Sequence, residues 1–106
     1  MPPSLFMKIR TQVSGWLTDA PQGLDIVAGS TGEQALPVVD SLVEDAQRLS
    51  DTQAPSSIDP QWRDGVSAYS QRLVELRSAV SAASGVTEAV DAARAAVENL
   101  RGVVGI

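Results

Sequence analysis

The chain contains neither cysteine nor histidine, and Lys8 is its single lysine. Without cysteine it has no disulfide, no thiolate metal ligand and no redox switch. Without histidine it lacks the commonest general base, triad member and metal ligand, and the Glu-x-x-His metal centre of helical bundles is ruled out. We therefore expect a protein that is not an enzyme, with no catalytic or metal-ligating residues and no cofactor.

Two other patterns are superficially similar to chemical sites. The stretch AGSTGE, residues 28–33, lacks the Lys-Ser/Thr ending of a phosphate loop and follows no strand. The acids Asp40, Glu44, Asp45 and Asp51 fit the solvated outer face of a helix better than they fit a metal site. Neither pattern changes the expectation of a non-enzyme.

Aromatic residues and long apolar runs are also scarce. Phe6, Trp16, Trp62 and Tyr69 are the only aromatics, so Val, Ala and Leu must fill the core, which suits closely packed helices. No run approaches the ~20 apolar residues of a transmembrane helix. The first residues lack the basic start and apolar run of a secretory signal. We expect no transmembrane segment and no cleavable signal, with the cytoplasm as the default location.

Negative charge is unevenly spread along the chain. Of the net charge of −5, residues 1–18 contribute +2 and residues 19–106 contribute −7. Non-specific nucleic-acid binding relies on clustered Lys and Arg. The acidic body therefore argues against non-specific nucleic-acid binding, and we expect no nucleic-acid partner.

Apolar residues recur at alternating spacings of four and three along most of the chain, which predicts helices with one apolar face each. An amphipathic N-terminal helix is expected within residues 1–18. Further helices are expected over 32–50, 60–84 and 86–103. We interpret the whole chain, 1–106, as one all-α domain, an antiparallel helical bundle of three to four helices.

Proline and glycine set the expected helix boundaries. Residues 19–33 read as turns around a short apolar piece, which is either a helical turn or the start of the next helix. Pro37 belongs in the first turn of the second helix. Asp59 as N-cap and Pro60 at the first helical position begin the third helix. Gly85 favours a break before the fourth helix over one continuous helix.

The third helix has the longest apolar face. Three binding partners are open for this face: the protein's own core, a second copy of the chain or a different protein. Its predicted members are Trp62, Val66, Tyr69, Leu73, Leu76, Val80 and Ala83. The corresponding stripes are Ala35, Val39, Leu42, Ala46 and Leu49 in the second helix and Val86, Val90, Ala93, Val97, Leu100 and Val104 in the fourth. Residues 51–57, DTQAPSS, form the linker between the second and third helices. We expect Trp62 to cap the core beside this linker, and the Tyr69 hydroxyl to reach a polar partner or the bundle rim.

The N-terminal helix has two interpretations. It is either the fourth helix of the bundle or a detachable arm that binds a membrane surface or an acidic groove. Its two positive charges are few for a membrane anchor, so a protein is the better partner for such an arm. The candidate partner-binding residues are Leu5, Phe6, Lys8, Ile9, Arg10 and Trp16 in this helix and Trp62 and Tyr69 in the third.

The segment Trp62-Arg63-Asp64-Gly65 resembles the Trp-to-Gly turn of the small type VII secretion substrates, the WXG100 superfamily. Residues 15–35, GWLTDAPQGLDIVAGSTGEQA, look like the N-terminal part of actinobacterial secretion-associated relatives of that superfamily. The resemblance implies helical hairpins that pair into dimers and leave the cell without a cleaved signal. The chain departs from the family because two residues, not one, separate Trp62 from Gly65. Tyr69 also lacks the following acid that exported members carry.

The function expected from these features is that of a non-catalytic protein–protein interaction module. It would be an adaptor, an inhibitor or a type VII secretion-associated protein that binds through apolar helix faces. Its partner would be a second copy, giving a homodimer, or a different protein. The alternative is a helical bundle that carries a small apolar ligand in its core.

Overall fold

The structure, a computed structural model, describes residues 5–30 and 32–105, without the side chains of residues 5, 6, 8 and 9. It consists of four α-helices: α1 (Leu5–Ala28), α2 (Gly32–Asp51), α3 (Asp59–Ala82) and α4 (Val86–Val104). The described residues contain no strand. Helix α1 packs against α2 and α4, and α3 packs against the same two helices. This arrangement confirms the predicted all-α helical bundle.

Neighbouring helices run antiparallel in an elongated bundle of 50 × 21 × 19 Å. The Arg77 side chain, late in α3, binds Asp40 in the first half of α2, with 2.9 Å between Nε and Oδ1. Gly65, early in α3, lies against Leu100 near the end of α4. Over the described residues, none of the helices has the length and apolarity that crossing a bilayer requires.

Each helix contributes one apolar stripe to a common core. The buried residues are Val13, Leu17, Ala20, Leu24 and Val27 in α1, Ala35, Val39, Leu42, Ala46 and Leu49 in α2, Trp62, Gly65, Val66, Tyr69, Leu73, Leu76 and Val80 in α3, and Val90, Ala93, Val97, Leu100 and Val104 in α4. The predicted stripe of α2 is confirmed in full. In α4 the only difference is Val86, which is half-buried.

Helix α1 is ten residues longer than the predicted end near position 18, because it runs to Ala28 with Pro21 inside it. The segment predicted as turns is therefore the second half of this helix. Burial explains the difference, since Ala20, Leu24 and Val27 continue the apolar stripe into the core. A proline inside a helix costs about 3 kcal/mol, and fully burying a Leu or Val side chain contributes about 1.5–3 kcal/mol.

The starts of α2 and α3 also differ from the prediction. Helix α2 begins at Gly32, so Pro37 lies in its second turn and leaves the carbonyl of Glu33 without an intrahelical donor. Glu33 is exposed, where water can satisfy that carbonyl. Helix α3 begins at Asp59 itself, with no side-chain cap. The Asp59 carboxylate instead pairs with Arg63, at 2.9 Å between Oδ2 and Nε.

The break between α3 and α4 is present, but α3 ends at Ala82 and not near position 84. Ala83 adopts a left-handed conformation with φ of 54°, and its N–H donates to the carbonyl of Val80 at 3.1 Å. Gly85 is also left-handed, with φ of 72°. Ala83 is exposed, so it does not belong to the apolar stripe in which it was predicted.

Candidate partner-binding surface

The two aromatic candidates of α3 lie inside the core. Trp62 is 2% exposed and Tyr69 is 1% exposed, so neither reaches the surface in this conformation. Trp62 packs at the end of the bundle beside the linker, where it also borders a surface cleft. Within the described part of the chain, neither Trp62 Nε1 nor Tyr69 Oη has a hydrogen-bond partner. The polar partner or rim position expected for the Tyr69 hydroxyl is therefore not found.

The buried phenol of Tyr69 is held in its neutral form. Burial raises its pKa above the ordinary value of 10.0, and the negative charge of Asp45 raises the pKa further. A buried polar group without a partner costs about 1–3 kcal/mol. Trp62 Nε1 and Tyr69 Oη thus both weaken the packed core that contains them.

The N-terminal candidates are placed only in part. The side chains of Leu5, Phe6, Lys8 and Ile9 lie outside the described residues. Arg10 donates from Nη2 to the carbonyl of Gly105, which ties the start of α1 to the end of α4. Trp16 is half-buried and packs against the core. Both described candidates therefore contact the body of the bundle.

The large apolar side chains that are exposed among the described residues lie far from one another. Met7, Ile26 and Val74 are exposed by 56%, 54% and 59%. Met7 and Ile26 lie near opposite ends of α1, and Val74 is on α3, which does not pack against α1. In the closed bundle, the described residues form no broad apolar surface, because their apolar stripes already fill the core.

Negative charge is concentrated on α2. This helix holds five acids and one arginine, a net −4 out of −5 for the whole chain. Helix α3 balances three acids with three arginines, and α1 balances two with two. The uneven charge is therefore a property of one helix and not of the surface as a whole.

Three of the α2 acids lie on one exposed face without an ion pair. Arg48 pairs with Asp45, at 2.9 Å between Nη1 and Oδ1, and not with Glu44 four residues before it. Glu33, Glu44 and Asp51 have no ion-pair partner among the described residues, and all three are exposed. Their spacing aligns them within about 20° around the helix axis. We call Glu33, Glu44 and Asp51 the acidic face.

Helix stability does not explain the whole acidic face. Glu33, in the first turn, complements the positive end of the helix dipole. Asp51 is the last residue of α2, where a carboxylate opposes the negative end of the dipole by about 0.3–1 kcal/mol. The helix therefore keeps a charge that its own stability disfavours.

A cleft of about 760 Å³ adjoins the acidic face where α2, the linker and α3 meet. Its walls are Ser50, Asp51, Thr52, Gln53, Asp59, Trp62, Arg63, Val66, Ser67 and Ser70. Trp62 and Val66 are the buried members and the others are polar, so the cleft has a small apolar base with hydrogen-bonding walls. Asp51 belongs to both features, which makes them one continuous surface.

Apart from its apolar base, this surface presents carboxylates, hydroxyls, the Gln53 amide and one arginine, Arg63, which is paired with Asp59. Over residues 5–30 and 32–105, no three side chains of the metal-ligating types come together. The chain matches no known protein-family model, no curated protein and no solved structure.

From the sequence, four of the α2 acids, Asp40, Glu44, Asp45 and Asp51, are predicted only as a solvated face. Two signals in the sequence point to more than that. When the net charge is counted helix by helix, α2 stands out as the acidic helix. The count for residues 1–18 against residues 19–106 does not show this. The positions 33, 44 and 51 also share one face at helical spacing.

Proposed function

We propose that the protein is a non-catalytic protein–protein interaction module that binds a basic surface of its partner. The partner-binding surface would be the acidic face of α2 together with the adjoining cleft. The observation that carries this proposal is the alignment of Glu33, Glu44 and Asp51, without ion pairs, on the helix that holds most of the net charge.

The dimensions of the surface favour a macromolecular partner. Glu33 and Asp51 are 18 positions apart, which is about 27 Å along a helix. A small ligand would reach only part of that distance, whereas a helix or ridge of a partner protein would follow it. Charges at the rim of an interface mainly steer the encounter and fix its orientation. The cleft beside Asp51 supplies the place where partner side chains would be enclosed.

A different protein is the better partner than a second copy at this surface. Two copies would bring two helices of net charge −4 together, and like charges repel. The adaptor and inhibitor versions of the proposal need only a basic partner. The type VII version has weaker support, because Trp62 and Gly65 lie inside α3 and are buried.

The alternative of a bundle that carries a small apolar ligand also has weaker support. The four stripes pack on one another, and a Cβ on Gly65 would already lie 2.8 Å from Leu100 Cδ2. The cleft beside Trp62 is open at the surface and has mostly polar walls.

Two variants of equal charge test the proposal. The first neutralises the acidic face with Glu33→Gln, Glu44→Gln and Asp51→Asn. The second neutralises three exposed acids of α4 with Glu88→Gln, Asp91→Asn and Glu98→Gln. Both change the net charge by three, and each includes an acid from the first turn of its helix.

The probe is a synthetic helical peptide of alanine, leucine and arginine, titrated by calorimetry at ~0.15 M salt and below. Three lost rim charges at about 0.5 kcal/mol each correspond to about a tenfold weaker Kd for the α2 variant. The α4 variant should stay within about twofold of the unchanged protein. Equal losses in both variants would show that net charge alone attracts the peptide, and the proposed surface would be wrong.

A further inference from the structure

We propose that α1 opens as a unit from the bundle while α2, α3 and α4 stay packed. Opening would uncover apolar stripes that take an amphipathic helix of a partner in place of α1. This inference goes beyond the acidic face, which needs no opening. It restores a role for apolar helix faces that are all covered in the closed bundle.

The composition of α1 makes it the helix that depends most on packing. It has Pro21 in its interior, together with Gly15 and Gly23, all of which disfavour a helix. It has no acid in its first turn and no base in its last turn. Helix α4, by comparison, has Glu88 in its first turn, Arg101 in its last and no proline. Once detached, α1 would retain little helical structure of its own.

The bonds that hold α1 to the other end of the chain are at the surface. Arg10 donates to the carbonyl of Gly105, and Arg94 of α4 pairs with Asp25 near the end of α1. No chain connection joins α1 to α4, since they are the first and last helices. Exposed ion pairs contribute little to stability. Packing of the apolar stripe is therefore the main force that keeps α1 closed.

The remaining three helices keep their own contacts when α1 leaves. Helix α3 packs against both α2 and α4, and neither interface involves α1. The close approach of Gly65 to Leu100 and the pair of Asp40 with Arg77 both survive. Parts of a protein that open separately share few contacts with what stays folded, and of the four helices α1 has the least contact with the others.

The occupant of the opened groove is defined by α1 itself. Its stripe of Val13, Leu17, Ala20, Leu24 and Val27 combines large and small residues at alternating spacings of four and three. Leu42 of α2 lies so close to α1 that a Cβ on Gly23 would be 3.1 Å from Leu42 Cδ2. A partner helix with a small residue at that point therefore fits without displacing Leu42. The groove selects for this pattern and not for charge.

Two prolines inside helices provide a matched test by hydrogen exchange and mass spectrometry of the full chain. Pro21→Ala strengthens α1, and Pro37→Ala strengthens α2, which stays folded in the open state. We expect α1 amides to exchange at least ~10-fold faster than the core amides of α3. Pro21→Ala should slow α1 exchange at least ~10-fold, and Pro37→Ala should leave it unchanged. Equal exchange in α1 and α3, or equal slowing of α1 by both variants, would overturn the proposal.

A labelled synthetic peptide with the α1 sequence tests the groove. Leu24→Ala in the chain weakens the closed state, so this variant should bind the peptide more tightly than Pro21→Ala does. The peptide carrying Gly23→Leu is the control and should bind more weakly, because its side chain has to displace Leu42. Equal binding of both peptides, or no binding to the Leu24→Ala chain, would remove the groove from the proposal.

Discussion

Gly65 of α3 packs directly against Leu100 of α4. A Cβ placed on Gly65 would lie 2.8 Å from Leu100 Cδ2 and 3.1 Å from Asn99 Nδ2. Both Gly65 and Leu100 are buried, so Leu100 has little room to move. The absence of a side chain at this position lets α3 and α4 approach closely.

We expect Gly65→Ala to destabilise the bundle, although alanine is the better helix former. The propensity gain is about 1 kcal/mol, whereas overpacking a core costs typically about 1–3 kcal/mol. Gly15→Ala is the control, because nothing lies within 4 Å of a Cβ on Gly15. That variant should gain about 0.5–1 kcal/mol. Urea unfolding of the two variants checks the prediction, and a gain at both sites would contradict the close approach.

The turn between α3 and α4 offers a second test. Ala83 has φ of 54°, a conformation that costs an L-residue about 1–2 kcal/mol and glycine little. Ala83→Gly should therefore raise the unfolding free energy by about 1 kcal/mol. Ala82→Gly, one residue earlier and still in α3, should lower it by about 0.5–1 kcal/mol. Thermal unfolding of both variants distinguishes the two positions, and the same sign at both would rule out the left-handed turn.

The buried Tyr69 side chain should make the free energy of unfolding fall at alkaline pH. Its pKa is raised by burial, so the folded chain keeps a proton that the unfolded chain loses above the ordinary value of 10.0. The unfolded state then binds fewer protons, and stability falls as pH rises from about 10, by up to about 1.4 kcal/mol per pH unit. Tyr69→Phe should lack this part of the loss. Urea unfolding at several alkaline pH values measures it.

At neutral pH the same variant should be tolerated, because it removes a hydroxyl without a hydrogen-bond partner in the described core. Removing such a group is neutral or stabilising. Leu73→Ala, one turn further along the same stripe, should instead cost about 2–5 kcal/mol. A large loss from Tyr69→Phe would mean that its hydroxyl does have a partner.

The stripes of α2 and α4 could be predicted from sequence because their apolar spacing is regular, with Pro37 near the start of α2 and Gly102 near the end of α4. The full length of α1 could not. Pro21 and Gly23 indicate a turn locally, and only the burial of Leu24 and Val27 against other helices outweighs them. That burial depends on tertiary packing, which no local pattern contains.

The acidic face could be predicted only in part. The positions of its three carboxylates follow from helical spacing. Their lack of ion pairs does not, because it depends on where the arginines reach. Arg48 pairs with Asp45 and not with Glu44, and Arg77 of α3 pairs with Asp40 of α2. These choices are set by side-chain geometry and by the antiparallel packing of α2 against α3.

In the structure, the apolar stripes of all four helices pack together into the core of a single chain. Light scattering on a sizing column tests it most directly, since it gives the molar mass in solution without a shape assumption. We expect a monomer of 11.1 kDa over a wide range of protein concentration. A dimer that comes apart only when the helices unfold would contradict this claim, because the stripes would then be paired between chains.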